Sequence, residues 1–167
     1  DYLAQGGQNW AQEFSLFTAI PDNYKASIIL LSEGPYSGMK AMNTAYTEQQ
    51  WLDISRDIRK YHELTHFVYR KHCPGKRNAI SEELLADCLG LVFATGEYDP
   101  QLAQAFLGIV DGKYQGGRLA QYVQQEPDAQ LVQLVCNMTQ TLAEQCKHAK
   151  ESGTDGYALM LHLINQY

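Results

Sequence analysis

Long apolar runs, a basic excess and closely paired cysteines are all missing from this sequence, and each absence removes a class of protein. The apolar run from Ile28 to Leu31 is far shorter than the roughly 20 residues a membrane helix needs, so no membrane insertion is expected. The net charge is −6, which gives no general affinity for nucleic acid or anionic lipid. None of the four cysteines, Cys73, Cys88, Cys136 and Cys146, stands in a CxxC pair, which sets aside a cysteine zinc knuckle and a thioredoxin-like centre. Cys88 and Cys136 lie in apolar helical patterns and read as buried free thiols. Disulfides Cys73–Cys88 and Cys136–Cys146 stay open at this stage. No signal peptide is visible, and the expected compartment is the cytoplasm. The chain starts at Asp1 rather than methionine, as it would if a segment ahead of it had been removed.

What the chain does have is enough apolar content, 45%, to build one core, and 167 residues suit a single domain over 1–167. Trp10, Phe14 and Phe17 recur at helical spacing before Pro21. Lys25 to Ser32 is a β-branched run closed by Gly34-Pro35, and so a strand. Residues 33–46 hold enough breakers to be a loop. Thr47 and Gln50 form a capping box opening a long helix to about Lys71, whose apolar stripe of Trp51, Ile54, Ile58 and Tyr61 continues through His62, Thr65 and His66. Further helices follow from Ser81 to Gly96, from Asp99-Pro100 to Val110, briefly to Glu126, from Pro127-Asp128 to Lys150, and over 157–166. The fold class is mainly α (α+β), with a small strand element near the N-terminus. The basic residues Arg56, Arg59, Lys60, Arg70, Lys71, Lys76 and Arg77 read as a solvated helix face and polar loop. His72 and His148 read as surface residues, and His162 as a satisfied core histidine.

The segment that carries chemistry is His62-Glu63-Leu64-Thr65-His66. Side chains four apart stack on one helix face, so both imidazoles can converge on one cation while Glu63 reaches the water bound to it. With this chain's His and Glu content, an HExxH arises by chance at a rate on the order of 1%. Seventeen residues on stands Glu83-Leu84-Leu85-Ala86-Asp87, again two carboxylates four apart at a helix start. Glu82 beside it is a fallback ligand. An aspartate among Leu85, Ala86, Leu89 and Leu91 is placed for burial and needs a partner.

An HExxH helix followed by ExxxAD resembles the gluzincin metallopeptidases, over residues 62–87. The resemblance implies a zincin-like helical domain and one zinc ion held by His62, His66 and Glu83. It implies Glu63 as general base and proton shuttle, and Asp87 accepting a hydrogen bond from a ligand histidine. It further implies hydrolysis of a peptide or protein, with the Ile28–Leu31 strand aligning the substrate by backbone pairing. Tyr157 and His162 are candidates for stabilising the oxyanion. The alternative from another class is a non-catalytic binding or regulatory domain that keeps zinc as a staple. Oligomeric state is not set by the sequence.

Overall fold

The long helix α2 (Glu48–His72) begins where Thr47 and Gln50 satisfy each other's exposed donors: the Gln50 amide donates to Thr47 Oγ1 at 3.4 Å and the Thr47 amide to Gln50 Oε1 at 3.0 Å. The computed structural model describes residues 9–21, 28–75, 78–123 and 125–166. Those residues fall into two units, 1–30 and 31–167. In the first, Asn9 caps a short helix, α1 (Trp10–Ala19), whose Trp10 and Phe14 rings lie 5.4 Å apart and, with Phe17, are exposed.

The second unit is built on α2 packed against α3 (Ala79–Thr95). Asn78 caps α3 and left-handed Gly96 ends it, the usual asymmetry of side-chain cap and glycine stop. Gly90 sets how close the two helices come: a Cβ there would sit 2.9 Å from the Ile58 carbonyl oxygen. After α3 come α4 (Pro100–Phe106), capped by Asp99, a two-stranded hairpin of β1 (Ile109–Val110) and β2 (Lys113–Tyr114), and short α5 (Leu119–Tyr122). Two further helices, α6 (Ala129–Glu151) and α7 (Gly156–Ile164), complete the unit. The larger core gathers Leu84, Leu85, Leu89, Val135, Leu142 and Leu163. A smaller one gathers Tyr36, Trp51, Ile58, Leu91, Ala103 and Phe106. Among the described residues no helix is long and apolar enough to cross a membrane.

The mainly helical class with a small strand element holds, but the strand lies elsewhere. Residues 28–32 carry no strand, with Ile28 and Leu30 more than four-fifths exposed, and 25–27 lie outside the described residues. The alternation needed to bury one face of a strand is missing from Ile-Ile-Leu-Leu. The hairpin forms instead at 109–114, where the third helix was expected to run on to Val110. Asp111 and Gly112 both take positive φ, 50° and 69°, the two-residue Asp-Gly turn that matches strand twist.

The 33–46 segment is irregular, as expected, but it is pinned to α2 from two sides. The Tyr36 amide donates to buried Ser55 Oγ at 2.9 Å and the Trp51 indole to the Met39 carbonyl at 2.7 Å. All four cysteines are free, and neither open disulfide pairing is made: the sulfurs of Cys88 and Cys146 lie 3.4 Å apart. Cys136 is half-buried rather than buried. His162 is exposed and bonds Gln166 at 3.0 Å, so it is not the core histidine expected. His72 and His148 are exposed. Arg56, Lys60, Arg70 and Lys71 form the solvated face, but Arg59 is half-buried and donates to the Gly34 carbonyl at 3.3 Å; Lys76 and Arg77 lie outside the described residues.

Gly90→Ala is expected to force α2 and α3 apart and cost about 1–3 kcal/mol, seen as a lower melting temperature. An unchanged melting temperature would show that the helix pair has slack at this contact.

Candidate metal centre

One turn of α2 carries His62 and His66, with only 6% and 7% of their surface exposed. The first turns of α3 carry Glu82, Glu83 and fully buried Asp87. The packing of these helices brings together every metal-site residue named from the sequence. His62 Nδ1 lies 2.9 Å from Asp87 Oδ1, and His66 Nδ1 lies 2.7 Å from Glu82 Oε1. With each Nδ1–H donated to a carboxylate, each Nε2 is left as a lone pair. The two Nε2 atoms face each other at 3.0 Å. Glu83 closes the triangle, with Oε1 3.3 Å from His66 Nε2 and Oε2 3.5 Å from His62 Nε2.

With both rings neutral, His62 Nε2, His66 Nε2 and the Glu83 carboxylate are all acceptors pointed at one spot. A cation must neutralise the arrangement, whether a proton or a metal. The donor set fits zinc: at zinc bond lengths of about 2.0–2.1 Å the edges of a tetrahedron are about 3.3 Å, near the 3.0 Å between the two nitrogens, and one ligand atom from each of the three residues lies within 4.8 Å of the others. Among the described residues, His62, His66 and Glu83 form the group able to hold a metal ion. Three protein ligands leave the fourth position free.

Asp87, expected to accept from a ligand histidine, lies against His62, and its surroundings supply more. Burial opposes its charge, but the Arg118 guanidinium, whose Nη2 is 2.6 Å from Oδ2, and His62 hold the carboxyl down at about 2. Tyr36 donates its hydroxyl to Asp87 Oδ1 at 2.6 Å and sits 2.8 Å from His62 Nδ1. Burial, foremost, pushes this phenol well above its usual range, so it stays a donor. The Arg118 guanidinium lies 5.3 Å from the centre of the Tyr36 ring. On Glu83, Tyr122 donates to Oε2 at 2.9 Å. Burial works against the Glu83 charge, yet the hydrogen bond with His66 and the charges around it lower its pKa. Glu63 is half-buried and makes no hydrogen bond or ion pair among the described residues.

Tyr36, Arg118 and Tyr122 were not anticipated. Tyr36 lies in a segment read only as loop. Arg118 and Tyr122 are brought to α3 by the hairpin and by a close crossing of glycines: a Cβ on Gly108 would meet the Gly116 carbonyl oxygen at 2.2 Å. Glu82, thought of as a spare ligand, instead orients His66. Tyr157 and His162 bond His72 and Gln166 respectively, and neither is bonded to the cluster.

Burial penalises a charged His66, but hydrogen bonds to Glu83 and Glu82 outweigh it and raise its pKa above the ordinary 6.5. Without a metal, His66 therefore takes up a proton more readily than a free imidazole. A raised folded pKa contributes stability that is fully present below the unfolded value and lost as pH rises through the folded one. Melting temperatures in chelator, from about pH 5 to about pH 8.5, should fall with pH more steeply in the wild type than in His66→Gln. Parallel profiles would contradict this assignment.

Neither a curated protein nor a solved structure matches the chain significantly. A family model does, from residue 2 to residue 165. The chain thus belongs to the family of unknown function DUF7005.

Proposed function

We propose that this protein is a zinc-dependent peptidase of gluzincin type, holding one zinc ion through His62, His66 and Glu83 and hydrolysing peptide or protein substrates. The observation that carries the reading is the convergence of His62 Nε2, His66 Nε2 and the Glu83 carboxylate, the two nitrogens 3.0 Å apart and each with a different Glu83 oxygen 3.3 or 3.5 Å away. Bound zinc would supply Lewis acidity, lowering the pKa of a water toward about 7 and polarising a substrate carbonyl.

The chain's own residues do the rest. Glu63 follows His62 directly on α2 and has no competing partner among the described residues, so its carboxylate is free to take a proton from water and pass it to the leaving nitrogen. Asp87 and Glu82 fix the rings of His62 and His66, so that each Nε2 keeps its lone pair. Arg118 keeps Asp87 ionised. Tyr122 holds one oxygen of Glu83. The four free thiols suit the reducing conditions of the cytoplasm, the compartment this reading adopts.

A second reading has an observation in its favour. The ligand histidines are nearly buried, and structural zinc sites are closed, as in a non-catalytic binding or regulatory domain. The three-ligand donor set weighs against it, because structural zinc takes four protein ligands.

The two readings part at Glu63. Glu63→Gln should keep its zinc and lose hydrolysis of a fluorogenic peptide library by about 10²–10⁴-fold. Undiminished hydrolysis would remove Glu63 from its role, and a wild type cleaving nothing while holding zinc would favour the staple. For the ligands, Glu82→Ala should weaken zinc binding by roughly 10–100-fold, and Glu83→Ala by considerably more. Equal affinities in a competition titration would mean the wrong glutamate has been assigned.

A further inference from the structure

Outside the metal centre, the described residues bring together one pair of nucleophilic side chains that the proposed hydrolysis does not use. Cys88 on α3 and Cys146 on α6 lie 58 residues apart in sequence, and their sulfurs are 3.4 Å apart. The two thiols are unequally placed. Cys88 has no exposed surface, while Cys146 is 9% exposed. Cys146 also lines an open cavity of about 590 Å³ together with Val92, Phe93, Lys147, Lys150 and Leu159. A small polar oxidant can enter a space of that size. Cys73 and Cys136 are half-buried, and neither has a sulfur neighbour among the described residues.

We propose that Cys88 and Cys146 form a redox-active pair, in which hydrogen peroxide entering the cavity oxidises Cys146 and Cys88 resolves the product to a disulfide joining α3 to α6. The Cys146 sulfur attacks a peroxide oxygen, an S–O bond forms, the O–O bond breaks, and hydroxide leaves. That hydroxide takes the Cys88 proton to become water. The Cys88 sulfur then attacks the Cys146 sulfur, the S–O bond breaks, and the departing hydroxide takes up the proton that Cys146 released to solvent on ionising, leaving as a second water. Two thiols are oxidised to one disulfide, and one peroxide is reduced to two waters. The order of attack also agrees with the ionisation of the pair. The hydrogen bond from Cys88 lowers the pKa of Cys146, whereas burial pushes Cys88 well above the usual thiol range.

The bridge would staple the helix that carries Glu82, Glu83 and Asp87. Cys88 follows Asp87 directly but points about 100° round the helix from it, and the disulfide is detected whether or not the site holds zinc or cleaves a peptide.

The test is disulfide mapping of the full chain. Reduced protein is treated with an equimolar amount of hydrogen peroxide, acid-quenched, alkylated under denaturing conditions, and digested without reduction for mass spectrometry. The expected product is a Cys88–Cys146 cross-linked peptide, with Cys73 and Cys136 alkylated and the link removed by dithiothreitol. Cys146→Ser should leave Cys88 fully alkylated. Four alkylated thiols, a bridge through Cys73 or Cys136, or Cys146 driven to sulfinic acid beside a free Cys88 would each overturn the proposal. The wild-type map gives this answer even if Cys88 variants do not fold.

Discussion

Two imidazole lone pairs held 3.0 Å apart repel each other unless a positive charge lies between them, and the second unit is organised around keeping them there. Each ring is oriented by a carboxylate at its far nitrogen, so neither can turn away without breaking a charge-assisted hydrogen bond inside the protein. A third acceptor, Glu83, adds to the same demand. Nothing in this arrangement is satisfied by packing alone.

That demand is met by placing acids and bases in layers. Asp87 is fully buried, and an isolated charge there would be strongly disfavoured; Arg118 at 2.6 Å supplies the counter-charge and Tyr36 a further donor. The Gly108–Gly117 crossing matters for the same reason, since the amide of Leu119 bonds back to the Leu107 carbonyl at 3.1 Å and so fixes the start of α5 beside Arg118. On the opposite side, Ser55 and Trp51 hold the Tyr36 segment against α2. The candidate metal centre thus depends on Tyr36, Arg118 and Tyr122, carried outside α2 and α3, as much as on those two helices.

This division explains what was legible in the sequence. Helical spacing alone put His62 above His66 and Glu83 above Asp87, because four residues is nearly one turn wherever the helix goes. Burial of Asp87 called for a partner, and the gluzincin resemblance supplied its kind, a ligand histidine. Tyr36, Arg118 and Tyr122 carry no such local signature, since their positions depend on where irregular chain returns to the helices. Gly108 and Gly117 were the available hint, as glycines signal close backbone approach, but they do not say which helix is approached. The misplaced strand has a related cause. Ile28 to Leu31 is apolar with two β-branched residues, yet strand propensity acts only where a partner strand and a buried face exist, whereas the Asp111-Gly112 turn carries its own geometry.

Elemental analysis and a chelator-competition titration of the purified full chain test the centre most directly. The account predicts close to one zinc per chain, retained through dialysis, removed by a strong chelator, and absent from His66→Ala that still folds. Failure of the wild type to retain or take up zinc, or equal zinc content in folded His66→Ala, would contradict it. The three converging acceptors would then be held together by a proton alone.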